Sequence, residues 1–363
     1  MPLIESPATQ STAVVLHQGV YKKTASLAEA VFMITGLTIG AGILGLPYAV
    51  ARVGLIPGTL CIIFIGLLML AMNLMIGEVA TATKTDMQLP GLAGKYLGGW
   101  AKGLLSVVLI FGYYGTLLAY LVGESISLRA LIGGSELLWG VIFWSLASFV
   151  VWSGLRSVKN IDKIVSTIVM GLIIGVSLYL LPKGNFSGQI LTSGLSLNLP
   201  IGVIIFALHA TPAIAQAHAL LPKSRAAFRK ALIIGTLIPI ALYVLFTVAV
   251  VGIMGVKVPE VATVGIGEYF GPAAVIIANL FAILAMTTCY IGLGTALKET
   301  FVWDHKIPDH LATFLVVALP LMLFLAGLRH FVAILDIVGG VFVTIELFMM
   351  AAVFYVMKRR RNI

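Results

Sequence analysis

Residues 35–48 read TGLTIGAGILGLPY, and the fold turns on this stretch. It lies inside the first long apolar run, residues 27–53. That run is long enough to cross a bilayer, since about 20 apolar residues at ~1.5 Å each span the hydrocarbon. Yet its centre holds Gly36, Gly40, Gly42 and Gly45, followed by Pro47. Glycine removes side-chain restraint, and proline lacks a donor and clashes with the preceding turn, so a helix break is expected near Gly40 to Gly42. Broken backbone survives in a membrane only inside protein or beside a cavity. The stretch therefore reads as half of a binding site.

Two other readings use the same letters. Gly40, Gly42 and Gly45 spell G-x-G-x-x-G, but a dinucleotide site needs a preceding strand and a βαβ unit, and an apolar span supplies neither. The glycines also fit close helix packing in a membrane bundle, where small residues let backbones approach.

Of the 363 residues, 60% are hydrophobic and 10% charged, with a mean hydropathy of +1.09. A soluble domain carries about 25% charged residues, so this is the composition of an all-α integral membrane protein. A net charge of +9 would suggest nucleic acid in a soluble chain. Here the charges sit between apolar spans, which excludes that partner and leaves the lipid bilayer. Cys61 and Cys289 both fall within spans and support neither a disulfide framework nor a metal site. Residues 1–20 lack a basic start followed by a long apolar core, so no cleaved signal peptide is expected. Residues 1–24 read as a disordered cytoplasmic tail.

Apolar runs predict ten spans, at 27–53, 55–80, 104–132, 136–153, 157–181, 199–221, 229–254, 270–297, 310–327 and 330–357. With the N terminus inside, 18 of the 23 lysines and arginines fall on the cytoplasmic side and 5 outside. The positive-inside rule thus places both termini in the cytoplasm of a multi-pass cell-membrane protein.

Five spans (25–182) precede an extracellular linker (183–198), and five (199–357) follow before a basic C terminus (358–363). An odd number per half inverts the second half relative to the first. The sixth span, LPIGVIIFALHATPAIAQAHALLP, is again interrupted, at His209, Thr211 and Pro212. Paired interruptions in inverted halves point to a secondary-transporter site near the midplane. Half-helix N-termini can hold a carboxylate and freed carbonyls an ammonium group or a cation, which is the pairing an amino acid presents.

GLTIGAGILGLPYA, LPGLAGKYLGGWAKGL, IIFALHATPAI and FRKALIIGTLIPIALYVLF together resemble the bacterial tryptophan/tyrosine permease family of the amino acid/auxin permease group. That resemblance covers most of residues 25–330 and implies a leucine-transporter-like fold. Ala210 stands where the family usually has glycine, and the family usually has an eleventh span beyond the ten found here.

The break residues Thr38, Gly40, Ala41 and Gly42, with Phe206, Ala207, His209 and Ala210 of span six, are the candidate substrate-binding positions. Tyr113, Tyr114 and Tyr120 lie on span three, which in this fold lines the cavity. Their rings can stack on an aromatic side chain, although aromatic residues also simply pack helices. The small residues Gly36, Ala41, Gly42, Ala207 and Ala210 leave room for a large substrate.

The resemblance also implies a sodium site between spans one and eight, with Thr35, Thr38, Thr287 and Thr288 as ligands, since hard cations take oxygen donors. Hydrogen bonding of these hydroxyls within the bundle is the other reading. His209 is a proton-coupling candidate, since histidine is the residue type that ordinarily changes charge near neutral pH, as are Glu78 and Glu124. The last two lie near span ends, where snorkelling or pairing with Lys84 or Arg129 also accounts for them. Asp336 and Glu346 on the final span are secondary candidates, and His218 is expected to face elsewhere.

No cofactor is implied beyond a coupling ion, sodium or proton. An intramembrane enzyme would need a nucleophile with its base or a metal cluster, and no HExxH or GxSxG occurs. A channel would need a repeated filter or a charged ring. The expected function is cation-coupled symport of neutral amino acids, aromatic ones included, with a carrier of small neutral amino acids as the alternative.

Overall fold

A computed structural model describes residues 14–17, 20–23, 26–83, 88–153, 158–186, 200–221, 224–303 and 306–361. Each of the ten apolar runs coincides with a helix or a helix pair. The first run is α1 (Leu27–Thr38) and α2 (Gly42–Val53), bent by 55° at the break between them. Then come α3 (Leu55–Ala82), a short α4 (Leu89–Leu97), α5 (Gly99–Ile132), α6 (Glu136–Ser153) and α7 (Val158–Leu180). The sixth run is again split, into α8 (Ile201–Ala207) and α9 (Thr211–Leu220). It is followed by α10 (Arg225–Met254), a short α11 (Ala262–Phe270), α12 (Pro272–Trp303) and α13 (Asp309–Leu325). The last run is α14 (Phe331–Ile337), a π-helical turn (Val338–Val343) and α15 (Thr344–Arg361).

Among the described residues, six helices are long and apolar enough to cross a membrane, or seven when the bent pair counts as one span. The remaining runs are shorter or split. The outer surfaces of the long helices fit lipid, with Phe64 at 65%, Leu146 at 65% and Phe348 at 73% exposure. Large apolar groups at such exposure would aggregate in water. Inside, Ile43, Leu44, Leu46, Tyr243 and Phe246 are wholly buried and tie α2 to α10.

Three features depart from the sequence reading. The tail carries a short antiparallel hairpin, β1 (Val14–His17) against β2 (Val20–Lys23); the β-branched and aromatic residues there favour strand pairing. Second, α4 and α11 are helices in what reads as connection. At the α4–α5 joint Gly98 takes φ +98°, a conformation that only glycine adopts freely, so the chain turns there and α5 starts ahead of the expected residue 104.

Third, the final helix is not regular. Gly339 and Gly340 lie in its π turn, and a side chain on Gly339 would overlap the carbonyl of Gly202 on α8. Two backbones meet there because neither has a Cβ. A π turn of this kind is frequent at functional sites.

Candidate functional site

Both helix breaks meet at the centre of the bundle. In the first, α1 ends at Thr38, Ile39 turns to an extended conformation (ψ 90°), and α2 starts at Gly42. In the second, α8 ends at Ala207, and Leu208 to Ala210 leave helical geometry before Thr211. The breaks touch at Gly42, where a Cβ would lie 2.6 Å from that of Ala207.

Tyr243 of α10 joins them. Its hydroxyl donates to the carbonyl oxygens of Thr38 (2.7 Å) and Ala207 (3.0 Å), sharing one proton between them. These are the last carbonyls of α1 and α8, the groups that a helix end leaves unsatisfied. Facing them are the N-terminal turns of α2 and α9, which carry the opposite end of the helix dipole. One centre thus offers positive and negative backbone poles.

The predicted residues divide by helix face. Tyr113, Tyr120 and Glu124 are spaced by seven and four residues on α5, so they share a face, whereas Tyr114 is turned by one residue. Accordingly the Tyr120 hydroxyl would lie 2.9 Å, and Cys289 Sγ 3.4 Å, from a Cβ on Gly40, while Tyr114 instead donates to the Leu315 carbonyl of α13 at 3.0 Å. Tyr113 is half-buried. At the second break, His209 Nε2 lies 3.1 Å from Glu346 Oε1, with Glu346 2% exposed. Phe206 is half-buried beside it, and Ala41, Ala207 and Ala210 are buried. His218 packs edge-on against Phe228, away from the breaks.

Each of the four threonine hydroxyls bonds a different acceptor. Thr35 donates to the Gly235 carbonyl of α10 at 3.3 Å, Thr38 to Ile34 of its own helix at 2.7 Å, and Thr288 to Leu284 at 3.0 Å. Thr287, like Thr35, reaches another span, donating to Oε1 of Glu124 at 2.8 Å.

For Glu124, snorkelling or pairing with Arg129 is overturned. Its side chain is 0% exposed, and among the described residues its Oε2 has no hydrogen-bond partner. Arg129 pairs with Glu136 instead. The physical reason is helix phase. Glu124 follows Tyr120 by one turn on the inward stripe, whereas Arg129 is exposed. Glu78 lines a cavity with Arg225 and Arg229 of α10, and Lys84 lies outside the described residues. Asp336 brackets Gly202 next to the π turn. Tyr243 was missed because nothing local marks it; Cys289 was read only as a small buried residue.

Residues 23–363 match the tryptophan/tyrosine permease family. This chain belongs to that family. The permease is 26% identical over 291 residues to tyrosine-specific transport system 1 of Haemophilus influenzae, covering 74% of this chain and 70% of that protein. It is 22% identical to the tryptophan-specific transport protein of the same organism (84% and 81% covered) and 20% identical to glutamine transporter 2 of Aliivibrio fischeri (93% and 90%). Among solved structures it resembles MhsT in complex with L-phenylalanine, with a TM-score of 0.68 at 15% identity over 90% of this chain and 88% of that one. It also resembles Mhp1, a nucleobase-cation-symport-1 family transporter in a closed conformation, with a TM-score of 0.62 at 14% identity over 94% and 80%. The permease therefore has the leucine-transporter-like fold of these neighbours, and the relatives of its family named above are transport proteins.

Changing Tyr243 to phenylalanine in the permease removes the donor that the buried carbonyls of Thr38 and Ala207 share, leaving Thr38 only the Gly40 N–H. The expected loss is about 1–3 kcal/mol of stability, read as a lower thermal midpoint in detergent with membrane insertion unchanged. An unchanged midpoint would mean that the hydroxyl does not hold the breaks together.

Proposed function

We propose that this permease imports a neutral amino acid, aromatic ones first, across the cytoplasmic membrane by alternating access, driven by a proton that Glu124 carries. The observation that carries the reading is the junction of the two breaks, Gly42 against Ala207 with Tyr243 bonded to the end of both half-helices. A zwitterion fits that junction. Its ammonium takes the carbonyl ends at Thr38 and Ala207, and its carboxylate the first N–H groups of α2 and α9, each end worth about half a charge. Tyr113, Tyr120 and Phe206 supply rings for the side chain, and the tyrosine and tryptophan relatives share that preference.

Glu124 supports the choice of proton. A buried carboxylate with no cation opposite is costly, and ionisable groups at membrane depth serve transport more often than packing. A proton on Oε2 removes that cost. Thr287 bonds it, Tyr120 lies one turn away on α5, and His209 and Glu346 form a separate pair at the second break. Both termini lie in the cytoplasm in this reading, as the lysine and arginine excess requires.

A second substrate reading, a polar neutral amino acid, is favoured by the glutamine transporter that matches 93% of the chain. Uptake of labelled tyrosine, tryptophan, leucine, alanine and glutamine into proteoliposomes, with pH and sodium gradients imposed separately, tests both readings. The expected result is uptake of tyrosine or tryptophan under the pH gradient, with substrate shielding Cys289 from a thiol reagent in a Cys61→Ser background. Uptake under sodium alone would remove the proton from the reading, and glutamine uptake without aromatic uptake would replace the substrate.

A further inference from the structure

A second polar site lies away from the breaks, where the end of α3 and the start of α10 diverge. The two helices touch at Gly77, where a side chain would strike Leu232 and come within 3.2 Å of the Phe228 ring. Beyond that contact they open a cavity of about 510 Å³, within the range of roughly 300–1,000 Å³ of small-molecule sites. Arg225 and Arg229 of α10 and Glu78 and Thr81 of α3 line it, over a floor that includes Leu74 and Met75.

The charges are arranged as a pair of poles. Arg225 and Arg229 are one turn apart and so share a face. They also lie in the first turns of α10, whose N terminus adds positive potential. Glu78 faces them across the cavity. Among the described residues none of the three makes an ion pair with a neighbouring side chain. The Thr81 hydroxyl donates to Gly77 at 2.6 Å, which leaves its oxygen free to accept.

The apolar side of the site continues into lipid. Leu60, Phe64, Leu67 and Ala71 follow Glu78 down one face of α3 at helical spacing, and all are exposed, Leu60 at 60% and Phe64 at 65%. A molecule seated in the cavity thus has its polar end between two guanidiniums and a carboxylate, and its tail on an open apolar stripe.

We propose that this cavity binds a membrane phospholipid with a phosphoethanolamine headgroup. The phosphate takes Arg225 and Arg229, which bind phosphate oxygens through paired N–H donors. The primary ammonium donates to Glu78 and to the Thr81 oxygen, and the acyl chains lie along the α3 stripe. Basic pockets between spanning helices are known to hold anionic headgroups, but Glu78 makes this one dipolar. It therefore prefers phosphoethanolamine over phosphoglycerol, which has no cation. It also rejects phosphocholine, whose quaternary nitrogen has no N–H to give. This site stands apart from the transport reading, and neither depends on the other.

The test is native mass spectrometry of the full chain, delipidated and then offered equal amounts of phosphatidylethanolamine, phosphatidylglycerol and phosphatidylcholine with matched acyl chains. Wild type should retain the ethanolamine lipid about tenfold over the choline lipid, the difference that charge-assisted hydrogen bonds make. Glu78→Gln should raise the glycerol lipid to parity with the ethanolamine lipid, and R225Q/R229Q should reduce ethanolamine retention to the choline level. Equal retention of all three lipids by the wild-type protein overturns the proposal without recourse to any variant. Displacement of the bound lipid by soluble glycerophosphoethanolamine at equal concentration also overturns it, since the acyl stripe would then contribute nothing.

Discussion

Replacing Gly42 with alanine is expected to reduce uptake to the level of empty vesicles while the protein still inserts and folds. A methyl group there would overlap the Cα of Ala207 and sit 2.6 Å from its Cβ. Neither neighbour is a flexible side-chain end, so the half-helices themselves must separate. Overpacking of this kind costs about 1–3 kcal/mol, which a bundle of this size tolerates. A displacement of about 1 Å at a positioned site, however, can cost roughly 100-fold in rate. The separation also stretches the two Tyr243 bonds, which need both carbonyls within reach of one hydroxyl. Gly292→Ala is the control, because nothing lies within 4 Å of a Cβ there. Wild-type uptake in the Gly42 variant would show that the contact between breaks does not form the substrate site.

Glu124→Gln should abolish concentrative uptake under a pH gradient but preserve exchange of labelled for unlabelled substrate. Glutamine keeps the size of the side chain and the carbonyl oxygen that accepts from Thr287 at 2.8 Å, but cannot gain or lose the proton. Exchange requires only that loaded carriers reorient, so it survives with the side chain fixed in its neutral form. A unit pH gradient is worth about 1.4 kcal/mol, or roughly tenfold accumulation per coupled proton. The variant should instead stop at equal concentrations inside and out. If it still concentrates substrate, the proton travels elsewhere, and His209 with Glu346 becomes the pair to replace.

Glycine and proline placement was enough to find both breaks. Gly40 to Gly42 and His209 to Pro212 interrupt long apolar runs, and no soluble pattern accounts for that. The sequence reading groups Tyr113, Tyr114 and Tyr120 together, and the structure separates them, since Tyr114 is out of phase with the other two and bonds the Leu315 carbonyl. Nor was the partner of each polar group readable. Glu124 lies five residues from Arg129 in the chain yet bonds Thr287, 163 positions away. Tyr243 looks like any apolar-span tyrosine until α10 packs against both half-helices. The π turn was foreshadowed only by the adjacent Gly339 and Gly340.

The sequence by itself determined that this is a multi-span membrane protein, where its helices run and where two of them break. Those properties follow from local energetics, namely burial of apolar side chains in lipid and the backbone demands of glycine and proline. The tertiary structure alone decided that the two breaks meet at Gly42 and Ala207, that one hydroxyl closes both, and that the Glu124 carboxylate is buried against Thr287. Contacts between distant helices depend on packing and crossing geometry, and no short window of sequence records which neighbour a side chain will reach.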